Sequence, residues 1–280
     1  MKLELRKFDP SKITSDSVVV MSGRRGSGKS SALRDLLSHH RGIPIGCAIS
    51  PTEVANKSFG NFIPSMLIHD EYSPELLQKF MDRQTKIITK LNDEKTKSGF
   101  SNIDPRAFMI LDDCMYDSKA WVNDKNIRSL FFNGRHYKIF FILTTQYPLG
   151  LPPAFRCNVD YTFIFKETIL KNQQRIYEQY AGMFPSFDAF RQVLTEVCQD
   201  YACLVIDNKT QSSNLQDQIF WYKADINKNF KMCDPSLWSL QALNDERKMK
   251  QNRTDEDDEE DFDPNVINKS KLKINVKKRN

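Results

Sequence analysis

Residues 23–30, Gly-Arg-Arg-Gly-Ser-Gly-Lys-Ser, directly follow the apolar run Ser17-Val-Val-Val-Met21. They match the phosphate-binding pattern G-x-x-x-x-G-K-S/T at every fixed position. The next segment, Ser31 to Leu37, repeats apolar residues at spacings of three and four, as an amphipathic helix does. A strand, a glycine-rich turn and a helix in this order direct backbone N–H groups and the helix dipole at one point. The stretch therefore predicts an α/β fold with a phosphate-binding loop.

The side chains of this loop have separate predicted roles. Gly26 and Gly28 permit the tight turn, Lys29 reaches the outer phosphates of a nucleotide, and the Ser30 hydroxyl binds Mg²⁺. The alternative interpretation is a glycine turn without a ligand. The predicted nucleotide-binding residues are Gly23, Arg24, Arg25, Gly26, Ser27, Gly28, Lys29, Ser30 and Ser31.

Length and composition restrict the class of protein. The chain has 280 residues, of which 40% are hydrophobic, so it can bury a substantial core in one large α/β domain or in a domain with appendages. It has no run of about 18 apolar residues and no apolar core of a secretory signal, so no transmembrane helix is expected. Six scattered cysteines without a C-x-x-C pair favour a reducing compartment and argue against structural zinc. A net charge of +5 is a weak indication of a polyanionic partner.

Apolar runs alternate with helical patterns from about Ser17 to about Tyr222. This layout predicts a mainly parallel central sheet flanked by helices. The predicted helices cover Ser73 to about Lys97, Asn123–Phe132, Thr168–Ala181 and Ser186–Gln199. The predicted strands are Val18–Met21, Ile45–Ile49, Ser65–Ile68, Phe108–Leu111, Ile139–Thr144, Tyr161–Phe165, Cys203–Ile206 and Ile219–Tyr222.

The composition changes after Trp238. Residues 255–261 form an acidic block, and residues 269–279 form a basic one with few apolar side chains. Such segments bury too little surface to offset the entropy lost on ordering. We therefore predict a P-loop domain over residues 1–243 and a disordered, acidic-then-basic tail over residues 244–280. The tail is either a solubilising extension or a basic hook for DNA or a partner, masked by the acidic block.

Two adjacent carboxylates follow the apolar run Phe108–Leu111. Nucleotide hydrolysis needs an acid at the end of a buried strand to hold Mg²⁺, and usually a second acid to orient the attacking water. Asp112 is placed to be the first of these and Asp113 the second. The alternative is a paired-Asp turn without a catalytic role.

Three further polar side chains are candidates for catalysis. Gln146 ends the strand Ile139–Thr144 and could sense a γ-phosphate or position water, the alternative being a turn amide. Arg135 lies just before that strand and could reach the phosphates of a neighbouring subunit, because a guanidinium supplied in trans stabilises transition-state charge. A surface arginine without a role is the alternative for Arg135. Arg156 follows a Pro-Pro pair that could hold it rigidly at an interface, and is a second candidate for the trans role.

Taken together, these segments resemble the genome-packaging ATPases of large nucleocytoplasmic DNA viruses, which belong to the FtsK/HerA group of P-loop ATPases. The resemblance rests on the phosphate loop, on Phe-Met-Ile-Leu-Asp-Asp-Cys at 108–114, and on residues 133–148 with the Leu-Pro-Pro and Asn-Val-Asp-Tyr that follow. It covers about Ser17 to Ile206. It implies an ASCE-type, RecA/FtsK-like sheet with an extra strand between the phosphate-loop strand and the Mg²⁺ strand. Ile45–Ile49 or Ser65–Ile68 are available for that position.

The resemblance also implies a function. The implied cofactors are ATP and Mg²⁺, and the implied assembly is a homo-oligomeric ring with double-stranded DNA threaded through its centre. Asp112 matches the Mg²⁺ acid, Asp113 the water-activating acid, Gln146 the sensor glutamine and Arg135 the trans arginine, with Arg156 acting instead of Arg135 or beside it. Cellular relatives more often have Asp-Glu where this chain has Asp-Asp. DNA contact would come from ring-lining loops, for which residues 86–97 and 166–175 are candidates.

The leading hypothesis is an ATP-driven double-stranded DNA translocase that packages a viral genome into a preformed capsid. One alternative is a nucleotide-binding switch or assembly factor without motor activity. Another is a small-molecule kinase, which would need an acceptor pocket and an arginine-rich lid. The motor hypothesis predicts a location at viral assembly sites in the host cytoplasm or in the virion, with capsid or virion membrane proteins as further partners.

Overall fold

A single sheet lies at the centre of the computed structural model, which describes residues 3–114, 118–146 and 151–258. Its strands are β1 (Arg6–Lys7), β2 (Val18–Ser22), β3 (Gly46–Ile49), β4 (Ile68–His69), β5 (Ala107–Asp112), β6 (Ile139–Thr145), β7 (Tyr161–Ile164), β8 (Cys203–Asp207) and β9 (Ile219–Tyr222). Within the described ranges their order across the sheet is β1-β9-β8-β7-β2-β6-β5-β3-β4.

The sheet is mostly parallel, as predicted. β2 lies in its middle, with β6 and β7 parallel to it on either side, and the parallel arrangement continues through β5, β3 and β4. β8 is antiparallel to both β7 and β9. The carboxyl ends of β2, β5, β6 and β7 therefore lie along the same edge of the sheet.

Helices lie between and after the strands along the sequence. They are α1 (Lys29–His39), α2 (Glu53–Asn56), α3 (Pro74–Ser98), α4 (Ser118–Asn123), α5 (Lys125–Asn133), α6 (Pro153–Arg156), α7 (Leu170–Tyr180), α8 (Phe187–Val197), α9 (Leu215–Gln218) and α10 (Pro235–Asp258). Two 3-10 helices cover Pro10–Lys12 and Ser65–Leu67.

The residues of β2 show why this part of the sheet is a core strand. Val19 and Met21 belong to the apolar cluster that contains Leu33 and Leu36 of α1. The alternate residues Val18 and Val20 belong to a second cluster, which contains side chains of α3 and α5. Every residue of β2 is buried, as expected for a parallel strand with helices on both faces.

The long helix α3 begins at Pro74, as the sequence Ser73-Pro74 predicts. The Leu76 N–H donates to the hydroxyl of Ser73 at 3.3 Å, and Pro74 occupies the first turn, where no backbone donor is needed. At the other end Gly99 adopts a left-handed conformation with φ of 75° and stops the helix.

Most predicted strands are confirmed, with two differences, and the structure adds β1, a short charged strand that was not predicted. Ser65–Leu67 forms a 3-10 helix, so the fourth strand is reduced to Ile68–His69. The strand between the phosphate-loop strand and the Asp112 strand is β6, so the prediction of Ile45–Ile49 or Ser65–Ile68 for that position is wrong. β3 and β4 lie instead on the side of β5 that faces away from β2. The strand that pairs with β2 is β6, which comes later in the sequence.

The C-terminal helix α10 extends to Asp258, past residue 243, where the predicted P-loop domain ends. Glu, Lys, Arg, Gln and Met residues in this stretch have high helix propensity, which net composition does not reveal. Residues 259–280 lie outside the described residues, and the boundary at residue 243 stays a prediction. Among the described helices, none has the length and apolar character needed to cross a membrane.

Candidate nucleotide-binding site

The phosphate loop joins the carboxyl end of β2 to α1. Its backbone is left-handed at Gly26 and Gly28, where φ is 74° and 99°. Gly23 must be glycine for a different reason, because a Cβ atom there would lie 2.5 Å from the Cβ of Phe165. The Gly23 N–H donates to the carbonyl of Thr145 at 3.1 Å, which ties the loop to β6. The sequence therefore folds here as a phosphate loop requires.

A cleft of about 830 Å³ lies next to this loop. It brings together Lys29 and Ser30 from α1, Asp112 and Asp113 from the end of β5, and Gln146 from the end of β6. These side chains meet because parallel strands end at one edge of the sheet, which is where α/β proteins bind ligands. The other predicted residues that line the cleft are Arg25, Gly26, Ser27, Gly28 and Ser31.

Lys29 lies over the loop. Its ammonium group donates to the carbonyl of Arg24 at 3.0 Å and also to that of Gly23. Burial lowers the pKa of Lys29, and the carboxylates of Asp113 and Asp112 act in the opposite direction. A half-buried cation beside two carboxylates suits a phosphate ligand that carries its own magnesium ion.

Two hydroxyl groups hold Asp112 in place. Thr144 Oγ1, on the neighbouring strand β6, donates to Asp112 Oδ1 at 2.6 Å, and Ser50 Oγ, just after β3, donates to Asp112 Oδ2 at 2.8 Å. Oxygen ligands are those that Mg²⁺ prefers, and Ser30 offers a second one in the same cleft. Within the described part of the chain, no group of three or more His, Cys, Asp or Glu side chains could hold a metal ion. Mg²⁺ at this site would therefore also need phosphate oxygens of the nucleotide.

Asp113 and Gln146 contact each other in the cleft. Gln146 Nε2 donates to Asp113 Oδ2. The backbone of Asp113 is left-handed, with φ of 56°, and its N–H donates to the carbonyl of Thr144 at 3.3 Å and to its hydroxyl at 3.1 Å. A non-glycine residue keeps this conformation where its surroundings enforce it. The geometry brings the second acid and the glutamine together, and their catalytic roles stay predictions.

Arg24 is part of the phosphate loop but does not line the cleft. It lines a smaller cavity of about 490 Å³, which Arg25 and Gln146 also line. Its guanidinium donates to Thr168 Oγ1 at 2.9 Å. A direct role of Arg24 in nucleotide binding stays a prediction.

Arg135 and Arg156 lie at the opposite edge of the sheet. Arg135 donates to Asp160 Oδ1 at 3.0 Å, and Asp160 Oδ2 accepts from the N–H of Val18, the first residue of β2. Arg156 lines the same cavity, of about 590 Å³, and donates to the carbonyl of Leu151 at 2.6 Å. The phosphate loop follows the other end of β2, about 13 Å away at roughly 3.3 Å per residue. A catalytic role for either arginine would therefore require a neighbouring subunit, and it stays a prediction.

Some residues at the cleft carry no motif in the sequence. Ser50 and Thr144 orient Asp112, and Tyr201 and Ile226 line a wall of the cleft. Ser50 could have been found from the sequence, because it directly follows the predicted strand Ile45–Ile49, and polar residues at the carboxyl ends of parallel strands lie at this edge of the sheet. Tyr201 and Ile226 come from turns late in the chain, and their local sequence gives no such signal.

The chain is similar to proteins of several large DNA viruses. It is 41% identical over 223 residues to an uncharacterized protein of Acanthamoeba polyphaga mimivirus, which covers 80% of this chain and 78% of that protein. The chain belongs to this family of P-loop proteins of large nucleocytoplasmic DNA viruses. Another member of the viral family, an uncharacterized protein of Invertebrate iridescent virus 6, is 39% identical over 209 residues, covering 74% of this chain and 77% of that protein. No family model matches the chain.

Two solved structures share the fold of this chain. The genome packaging NTPase B204 from Sulfolobus turreted icosahedral virus 2, in complex with AMP, matches with a TM-score of 0.52 and 18% identity, over 76% of this chain and 100% of that chain. The pCW3 conjugation coupling protein TcpA, in its monomer form with ATPγS, matches with a TM-score of 0.53 and 15% identity, over 84% of this chain and 66% of that chain. At these identities the likeness concerns the fold.

Proposed function

We propose that this chain is an ATPase that couples ATP hydrolysis to the movement of double-stranded DNA and so packages a viral genome into a capsid. The observation that carries the proposal is the meeting of Lys29, Asp112, Asp113 and Gln146 at one cleft beside the phosphate loop. Membership of the viral family, and a fold shared with a protein described as a genome packaging NTPase, support the step from ATP hydrolysis to DNA.

The cleft supplies the groups that phosphoryl transfer needs. The backbone N–H groups of the loop and the Lys29 ammonium would bind the β- and γ-phosphates. When bound by Ser30 and Asp112, Mg²⁺ supplies positive charge at the phosphate oxygens. Asp113 would orient the attacking water and accept its proton, with Gln146 holding the Asp113 carboxylate in place. Positioning and electrostatics would then provide most of the rate enhancement for in-line attack on the γ-phosphorus.

A head-to-tail ring would use both edges of the sheet. In such a ring each subunit presents a different surface to each neighbour, and the contacts close after a full turn. The edge that carries Arg135 and Arg156 would face the cleft of the next subunit, where a guanidinium in trans stabilises transition-state charge. Basic side chains lining the ring would contact the DNA backbone, and this contact would weaken with salt.

The test is the ATPase rate of the full chain against the concentration of duplex DNA, together with its oligomeric mass with and without ATP. We expect the rate to rise with DNA and saturate, and ATP to favour the ring. Lys29→Ala should abolish ATP binding, whereas Asp113→Asn should keep binding and abolish turnover. Folded chain that binds no ATP, or hydrolyses it at a rate indifferent to DNA, would contradict the proposal.

The Asp113→Asn variant also separates the motor from a nucleotide-binding switch. A switch would keep its function in this variant, because ATP still binds. Virus that carries Asp113→Asn should therefore assemble capsids without genome if the chain is a packaging motor. Normal DNA content in these capsids would exclude catalytic work by this site. Transfer of phosphate to a small acceptor in the absence of DNA would indicate a kinase instead.

The proposal includes a location and further partners. The chain should concentrate at viral assembly sites in the host cytoplasm, or enter the virion, and should contact capsid or virion membrane proteins. Imaging of the tagged chain alongside capsid protein during infection tests the location. Consistent exclusion from assembly sites would contradict it.

A further inference from the structure

Two exposed apolar side chains line the nucleotide cleft from separate segments. Tyr201, in the turn before β8, is 71% exposed, and Ile226, which follows β9, is 68% exposed. Neither belongs to an apolar core cluster, and neither takes part in the phosphate chemistry proposed above. The base and sugar of a nucleotide extend away from its phosphates, so a cleft that binds a nucleotide must offer them a surface beyond the loop.

A strained turn fixes the position of Tyr201. The Ala202 N–H donates to the carbonyl of Gln199 at 2.8 Å, and the two central residues, Asp200 and Tyr201, have φ of 49° and 65°. Positive φ at both central positions favours glycine, asparagine or aspartate, and a bulky tyrosine there is unusual. The turn packs on the phosphate loop, since a Cβ atom at Gly28 would lie 3.2 Å from the Cβ of Tyr201. Backbone strain of this kind concentrates at ligand sites.

Ile226 lies in a segment that is fastened to α1, the helix that follows the phosphate loop. Asp35 of α1 is buried and accepts hydrogen bonds from the Tyr222 hydroxyl at 2.5 Å, the Asp225 N–H at 2.8 Å and the Lys228 ammonium at 2.7 Å. Burial acts to raise the pKa of Asp35, but these hydrogen bonds outweigh it and lower the pKa below its usual value. The carboxylate is therefore charged at neutral pH, and it ties both sides of Ile226 to the helix that carries the phosphate-binding lysine.

We infer that Tyr201 and Ile226 bind the heterocyclic base of the nucleotide, an inference that rests on the proposed function. A tyrosine ring stacks on the face of a base of any identity, and an aliphatic side chain packs against its remaining apolar surface. Asp35 is a positioning residue in this arrangement, because it fixes the segment that carries Ile226. The site should therefore distinguish a nucleotide from a bare polyphosphate.

The test compares binding of MgATP and of inorganic tripolyphosphate, which has the phosphates without a base, to the full chain by isothermal titration calorimetry. Tyr201→Ala and Ile226→Ala should each weaken ATP binding about tenfold and leave tripolyphosphate binding within about twofold of wild type. Tyr201→Phe keeps the stacking ring and should bind ATP as wild type does. Phe100→Ala is a matched control, since Phe100 is 65% exposed and does not line the cleft.

Unchanged ATP affinity in both alanine variants would overturn the inference. An equal loss for ATP and tripolyphosphate would also overturn it, because the phosphate loop itself would then be disturbed. If wild-type chain binds neither ligand, the proposed function fails together with the inference. If wild type binds both ligands and the variants behave identically to it, the base site alone is refuted and the proposed function stands.

The positioning role of Asp35 has its own test. Lys228→Met removes the ion pair between Lys228 and Asp35. The Lys228 side chain is 35% exposed and that of Asp35 only 4%, so this variant is more tolerant of the change than a variant at Asp35. Lys228→Met and Asp35→Asn should each weaken ATP binding about fivefold and spare tripolyphosphate binding, with a thermal melt showing that both variants are folded. Loss of both ligands in folded Lys228→Met, or of neither, would overturn the positioning role.

Discussion

The hydroxyl of Thr144 lies 2.6 Å from the carboxylate of Asp112 on the adjacent strand. The sheet register pairs these two residues directly, at the carboxyl ends of β6 and β5. Backbone pairing thus sets the orientation of the acid that is proposed to hold Mg²⁺. Removal of a group that orients a metal ligand typically weakens metal binding by about 10- to 100-fold.

Thr144→Val should therefore raise the Mg²⁺ concentration needed for half-maximal ATPase activity by about tenfold. The turnover number should fall as well, because the same hydroxyl accepts a hydrogen bond from the N–H of Asp113. The measurement is the ATPase rate against Mg²⁺ at fixed ATP. Thr144→Ser keeps the hydroxyl and is the control. A Thr144→Val enzyme with the wild-type Mg²⁺ dependence would contradict the proposed role of this pair.

Alanine should have different effects at two glycines of the phosphate loop. At Gly23 the new Cβ would lie 2.5 Å from the Cβ of Phe165, an atom that the backbone holds in place, so the loop must shift. At Gly26 the space is open and the cost is that of a left-handed alanine. We expect losses in unfolding free energy of about 3 kcal/mol for Gly23→Ala and about 1 kcal/mol for Gly26→Ala. Urea denaturation measures both, and equal or reversed losses would refute this account of the loop.

His40 should make stability depend on pH in mildly acidic solution. Its ring is buried, with its centroid 4.3 Å from that of the Phe140 ring. Burial, with the nearby charges of His39 and Arg106, lowers the pKa of His40 from 6.5 to about 4. Below pH 6.5 the unfolded chain takes up a proton that the folded chain does not. The free energy of unfolding should therefore fall by up to about 3 kcal/mol as the pH drops from about 6.5 to about 4.

His40→Phe removes this titration and keeps an aromatic ring against Phe140. The difference in unfolding free energy between wild type and variant should change with pH in that window and level off above it. Other groups titrate in both proteins and largely cancel in the difference. Urea denaturation at several pH values gives the measurement, and a difference that stays constant with pH would show that folding leaves the pKa of His40 unchanged.

Arg135→Ala should inhibit neighbouring subunits if Arg135 acts in trans. Its side chain is 65% exposed, but that of Asp160 is only 8% exposed and keeps the hydrogen bond from the Val18 N–H, so a thermal melt should first show that the variant is folded. When Arg135→Ala subunits are mixed with Lys29→Ala subunits, which cannot bind ATP, the ATPase rate should be partly restored, because a Lys29→Ala subunit still supplies Arg135 to the intact cleft of its neighbour. Arg106→Ala also removes an arginine that pairs with an aspartate, and it should leave the rate unaffected. A wild-type rate in rings of Arg135→Ala alone, or no restoration by Lys29→Ala subunits, would contradict the trans role, and Arg156→Ala in parallel would decide between the two arginines.

The strands from β2 onward were largely predictable because most of them are short apolar runs, whereas β1 consists of the exposed, charged pair Arg6–Lys7 and carries no such pattern. The order of the strands was not predictable, since β2 pairs with β6 across more than a hundred residues of sequence. Gly46–Ile49 and Ile139–Thr145 are both buried along their whole length, so the local pattern gave no reason to place the second beside β2. Ser65–Leu67 shows the same limit, because three residues before a strand can turn into a 3-10 helix without any change in hydrophobicity.

The residues of the candidate site likewise include some that the sequence predicts and some that it does not. The phosphate loop could be found because its groups lie in eight consecutive residues, and Asp112, Asp113 and Gln146 because polar residues at the ends of parallel strands meet at one edge. Tyr201 is brought to the loop by a turn whose backbone strain leaves no mark in the sequence. Asp35 looks like an ordinary polar residue of an amphipathic helix until β9 and the segment after it cover it.

Strand β6 runs between the edge of the sheet that carries the nucleotide cleft and the opposite edge, which carries Arg135 and Arg156. Gln146 directly follows its last residue, and Arg135 lies four residues before its first. All seven of its residues are buried, and a close-packed interior passes on a displacement rather than absorbing it. A shift of Gln146 when phosphate leaves would then displace β6 as a rigid unit, and the other end of β6 lies near the exposed Arg135. One strand would in this way relay the state of one cleft to the adjoining subunit, with no hinge in between.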